Sequence, residues 1–159
     1  MAAMDANAST NKLFEEGRRL LEQGRGEEAL RYLSLAHSQA PQHARIRSYY
    51  GLALAVEERA FAEAAELCNS SLKQEFFNPD LYLNAARVYL EFGFKADAIR
   101  CLRRGRMIDP SHSAITGMLR ELGMRRGPVL RFLPRTHRLN VWLGQARSRI
   151  SAPGAAAAH

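Results

Sequence analysis

The sequence predicts an all-α fold: a stack of antiparallel helix pairs, about seven helices, with one further amphipathic helix near the C-terminus. Three observations carry this. Leu83 to Pro110 holds two helical apolar stripes around one glycine. The same residues recur at one spacing in 10–43. Pro41, Pro79 and Pro110 each stand where a helix pair should end, because proline cannot continue a helix.

Residues 1–9 are small and polar and are expected to lack structure. Ser9 or Thr10 can cap the first helix. Leu13, Phe14, Gly17, Leu20 and Leu21 then follow at helical spacing. Gly24 and Gly26 mark the turn, and Ala29, Leu30, Leu33 and Ala36 form the returning stripe. The middle unit, 44–78, opens well with Tyr50, Gly51 and Leu54. Its turn, Glu57-Glu58-Arg59, lacks glycine. Ala64, Cys68, Ser71 and Leu72 fit its second helix only with one extra residue in the connection, and the exit from Lys73 to Asn78 reads as overlong. The third unit, 79–112, is the sharpest. Leu83, Ala86, Tyr89 and Leu90 share one face, Gly93 serves the turn, and Ala98, Leu102 and Gly105 share the next face. Small residues at Ala86, Ala98 and Gly105 let two helices approach closely.

A further helix is expected over 113–126, with Ile115, Met118, Leu119 and Leu122 as its stripe. It would cover the last open face of the stack. Gly127-Pro128 should break it, leaving 127–138 extended. Leu139, Trp142, Leu143, Ala146 and Ile150 then make a basic amphipathic helix over 139–150, and 151–159 is an Ala-rich tail without assigned structure.

Aligned on the third unit, Gly17 matches Ala86, Gly24 matches Gly93, Ala29 matches Ala98, Leu33 matches Leu102, Ala36 matches Gly105 and Pro41 matches Pro110. This pattern resembles the tetratricopeptide repeat, a helix–turn–helix unit of about 34 residues. The resemblance implies a right-handed superhelical stack whose first helices line a groove. It also implies a non-enzymatic module that binds a peptide or partner protein, as a scaffold or chaperone-like adaptor. The small three-unit plan is similar in architecture to repeat-containing chaperones of bacterial secretion systems. By the same resemblance the groove positions are Phe14, Arg18 and Leu21; Ser48, Leu52, Ala55 and Val56; and Leu83, Arg87, Leu90 and Glu91. Such a groove would be apolar with basic points, suited to a peptide carrying acidic residues. One subclass clamps acidic chaperone C-termini with Lys and Asn. Here the clamp positions hold Phe14, Arg18, Tyr49, Asp80 and Asn84, so the resemblance does not extend to that clamp.

Charge is unevenly placed. Residues 1–99 carry 11 Lys/Arg against 14 Asp/Glu, whereas 100–159 carry 12 Arg against two acids. Such asymmetry speaks of partners rather than of fold. Arg100, Arg103, Arg104 and Arg106 share much of one helix face, and Arg125, Arg126, Arg131, Arg135, Arg138 and Trp142 continue the basic surface. Three readings compete for the basic end: folding back on the stack, docking a partner protein, or meeting an anionic membrane surface. Nucleic acid is disfavoured, because aromatic residues are few there and no reading motif is present. Self-association is left open.

No catalytic constellation is legible. His37, His43, His112, His137 and His159 do not pair at ligand spacing, and no Cys-x-x-Cys, phosphate loop or dinucleotide fingerprint occurs, so no metal or cofactor is expected. Glu27-Glu28 and Glu57-Glu58 are adjacent residues at turns and read as solvated surface. Cys68 and Cys101 read as small core residues of a reducing compartment, with a disulfide between them as the minor alternative. The start of the chain shows no basic, apolar leader pattern and no apolar run is long enough to span a membrane, so a cytoplasmic location is expected. The Ala- and Arg-rich usage suggests a bacterial source.

Overall fold

The computed structural model describes residues 2–123, and side chains from residue 7 onward. Seven helices occur among them: α1 Ala2–Glu22, α2 Gly26–Gln39, α3 Ala44–Glu57, α4 Phe61–Gln74, α5 Pro79–Glu91, α6 Lys95–Ile108 and α7 Ser113–Glu121. They form an all-α repeat solenoid. Each odd helix packs against the even helix that follows, and α3 also packs on α5.

Local sequence explains the elements. Asn78 caps α5 by accepting from the Asp80 N–H at 3.2 Å, and Pro79 fills the first helical position, where its missing N–H has no cost. Gly24 and Gly93 adopt φ of +74° and +79°, a left-handed turn that only glycine enters freely.

The core is laid down in three steps along the stack. Phe14, Leu20, Ala29, Leu33 and Ile46 form the first cluster. Leu52, Ala64, Cys68, Ala85 and Val88 form the second, and Leu83, Ala86, Ala98, Leu102, Ile115 and Leu119 the third. Each fully buried Leu or Ile contributes about 1.5–3 kcal/mol of transfer free energy before entropy is counted. Small residues set the spacing between helices. A Cβ on Gly51 would lie 3.0 Å from the Ala64 carbonyl oxygen, and one on Gly105 would lie 2.7 Å from the Ile115 side chain.

The structure departs from the sequence reading in four places. The first helix starts at Ala2, ahead of the Ser9/Thr10 cap, because alanine recurs through this segment and helical propensity needs no apolar stripe. The middle unit is irregular inside a helix rather than in its connections. All three turns are equal, at 23–25, 58–60 and 92–94, and so are the exits, at 40–43, 75–78 and 109–112. The additional residue lengthens α3 to 14 residues, against 13 in α5. Arg59, at φ +56°, occupies the left-handed position that glycine takes in the other turns. The last helix ends at Glu121 rather than Arg126, since Gly123 turns left-handed at φ +59°. Cys101 is only half-buried, and neither it nor the buried Cys68 is in a disulfide.

Candidate peptide-binding groove

The first helices of the three pairs bring six of the eleven expected groove residues into one cleft. Leu21, Leu52, Val56, Arg87, Leu90 and Glu91 line a space of about 460 Å³, together with Glu22, Gly24, Gly26 and Glu57. The other expected residues divide differently. Phe14, Ser48, Ala55 and Leu83 are buried at 3%, 0%, 0% and 6% exposure and belong to the core. They lie one step around their helices and face neighbouring helices. Ser48 accepts from the Asn84 amide at 3.3 Å, linking α3 to α5 inside the stack. Arg18 stays at the surface, but its guanidinium is held by Glu15 at 2.9 Å and Glu22 at 2.7 Å.

The cleft is therefore not simply apolar with basic points. Glu22, Glu57 and Glu91 are the last residues of α1, α3 and α5, and all three reach its rim. Glu22 shares Arg18 with Glu15, and Glu91 pairs with Arg59. Glu57 makes no ion pair with a described residue. Its carboxylate lies over the start of α2, where a Cβ on Gly26 would collide with it.

A second charged group lies toward the starts of α3 and α5. Burial pushes the Tyr49 hydroxyl above its ordinary range, Asp80 adds to the shift, and the guanidiniums of Arg18, Arg45 and Arg87 oppose it. Arg18, Arg45 and Arg87, one from each first helix, thus all act electrostatically on one tyrosine. Arg45 stacks over Phe14 at 5.3 Å, and Phe14 meets Tyr49 edge to face at 5.4 Å. The sequence reading missed Arg45. Its counterparts by spacing, Asn11 and Asp80, differ from it in chemistry, so no repeat signal marked it.

On the opposite helix of the third pair, Arg100, Arg103 and Arg104 are exposed, and Arg106 is half-buried. Arg100 pairs with Asp97 at 3.2 Å. Arg125, Arg126, Arg131, Arg135, Arg138, Trp142 and the expected helix over 139–150 lie outside the described residues. Among the described residues, no group of three or more His, Cys, Asp or Glu is placed to hold a metal ion, and no helix is long and apolar enough to cross a membrane.

The paired helices, the small residues at their crossings and the left-handed turns define a helical repeat protein. The sequence profile of the tetratricopeptide repeat matches residues 55–122 of the chain. No curated protein matches its sequence. Similar solved structures include the first such domain of human RPAP3, at TM-score 0.59 and 16% identity over 90% of this chain and 97% of that one. The Arabidopsis OM64 domain matches at 0.58 and 16% identity, over 72% and 94%. The first domain of Spaghetti, bound to the HSP90 peptide SRMEEVD, matches at 0.57 and 18% identity, over 72% and 90%. At these identities the likeness is one of fold.

Proposed function

We propose that the protein is a non-enzymatic adaptor that holds a peptide segment of a partner protein across α1, α3 and α5. One observation carries the reading: Leu21, Leu52, Val56 and Leu90 leave an apolar cleft open across three helices, with the Arg45–Tyr49–Arg87 group beside it. An apolar side chain can seat in the cleft while the arginines take a carboxylate of the same segment. The Spaghetti domain, of similar fold, is bound to a peptide, which supports a peptide as the ligand class. The clamp chemistry of one subclass of the family is not carried over, because Phe14, Tyr49 and Asp80 stand at clamp positions here. The test is an affinity pull-down comparing wild type with an Arg45→Glu/Arg87→Glu double variant. Loss of specific partners from the variant supports the groove. Full recovery of every partner by a folded variant removes it.

A second reading rests on α6. Arg103 and Arg104 are exposed and make no ion pair with a described residue. This face would dock a second, anionic partner or membrane surface. Salt-sensitive sedimentation with anionic vesicles, reduced by Arg103→Glu/Arg104→Glu, is the expected result. Equal sedimentation of both proteins excludes the contribution of α6.

A further inference from the structure

Two opposite charges line the cleft without meeting. Glu57 closes α3 and Arg87 lies four residues before the end of α5, yet neither makes an ion pair with a described residue. The remaining rim carboxylates are engaged, Glu22 with Arg18 and Glu91 with Arg59. Leu52, Val56 and Leu90 line the same cleft and supply its apolar floor.

We propose that the cleft reads a peptide in which one apolar side chain is flanked by a carboxylate on one side and a cationic side chain on the other. The apolar side chain fills the floor, the carboxylate meets Arg87, and the cation meets Glu57. This rests on the groove reading and restricts its ligand. A uniformly acidic segment fits poorly. It would set a second carboxylate against Glu57 and against the C-terminal ends of α1, α3 and α5, where the helix dipoles are negative. The start of α2 beneath Glu57 steadies its carboxylate but carries only a fraction of a charge, so the attraction for a cation persists. Gly26 has a part in this. The absence of a side chain there leaves room for the Glu57 carboxylate.

The experiment selects a random dodecapeptide phage library on the full-length protein. A selected peptide is then titrated, by fluorescence anisotropy, against wild type, Val56→Arg, Glu57→Gln, Arg87→Gln and Gly26→Ala. Selected sequences should carry Lys or Arg beside an apolar residue, with Asp or Glu on its other side. Replacing that Lys by Gln should weaken binding about threefold to wild type, the weight of one exposed ion pair, and should not weaken binding to Glu57→Gln. Gly26→Ala should behave like Glu57→Gln, because the added Cβ displaces the carboxylate while its charge stays. If the peptide Lys→Gln change costs the same on wild type and Glu57→Gln, or if selected peptides lack a basic residue, this inference fails and the groove reading stands, provided Val56→Arg abolishes binding. If Val56→Arg binds as wild type does, or no peptide is selected, both fail.

Discussion

His112 joins the last helix to the third pair through both nitrogens of one ring. Its Nε2 lies 3.0 Å from the Asp80 carboxylate on α5, and its Nδ1 accepts from the Ile115 N–H at 3.4 Å, capping α7. The two contacts together require the neutral tautomer with the proton on Nε2, a donor on one side and an acceptor on the other. Replacing His112 by Ala removes the cap and leaves α7 held mainly by Ile115 and Leu119. The expected cost is about 1 kcal/mol, concentrated in α7. Amide hydrogen exchange should show faster exchange in 113–121 with α1–α4 unchanged. Asp80→Asn keeps an acceptor for Nε2–H and should cost less than His112→Ala.

His37 presents the opposite situation. Its ring stacks on Tyr50 at 4.9 Å, and Nδ1 is buried without a hydrogen-bond partner among the described residues. Burial first, and Arg47 second, hold its pKa below the ordinary 6.5. The folded state thus binds its proton less readily than the unfolded chain. Stability from this site is present above about pH 6.5 and is lost as pH falls below it toward the folded pKa. His37→Phe keeps a stacked ring without a titrating group. Urea midpoints measured from pH 7 to pH 5 should fall less for this variant than for wild type; parallel falls would exclude His37 as a source of acid sensitivity.

The periodicity of apolar residues was enough to place six paired helices and the final one, because every pair must bury one stripe against the next. It was less able to separate groove from core. Phe14, Ser48 and Leu83 lie near cleft-lining positions in the helices, and which row is covered depends on how far each pair rotates against its neighbour. That rotation comes from packing contacts such as Gly51 on Ala64, not from spacing. Leu52 shows the ambiguity in one residue, since it is 3% exposed and still lines the cleft floor. Charge pairing was also illegible across the stack. Arg18 with Glu15 and Glu22 follows helical spacing, but Arg59 with Glu91 joins two turns 32 residues apart.

Cys68 is 1% exposed, and burial pushes its thiol up to about 12 from an ordinary 9.0. The thiolate is the reactive form, so the native protein should protect this residue from thiol reagents at neutral pH. Cys101, half-buried, should react first. Labelling with an aromatic disulfide reagent should give one fast and one slow thiol, the slow one appearing at the rate of unfolding. The same shift has a thermodynamic consequence. Between about pH 9 and 12 the folded state keeps a proton that the unfolded chain has lost, so stability falls as pH rises through that window. Cys68→Ala should flatten this fall while lowering stability near neutrality by leaving a small cavity.

Arg59 holds a conformation that its repeat counterparts give to glycine, and its side chain offsets the cost. The left-handed backbone costs a non-glycine residue about 1–2 kcal/mol. Against this, the guanidinium pairs with Glu91 and lies 4.8 Å over the Phe92 ring, bridging the second turn to the third. Exposed contacts of this kind contribute about 0.5–1 kcal/mol each, so the two sides nearly balance. Arg59→Gly, which relieves the backbone and loses the bridge, should therefore change stability by less than about 1 kcal/mol. Arg59→Ala keeps the strain and loses the bridge, and should be destabilised by about 1–2 kcal/mol. Urea denaturation of the three proteins gives the order directly. If Gly proves worse than Ala, the backbone at 59 is not the costly element; if Ala matches wild type, the bridge to Glu91 and Phe92 contributes nothing.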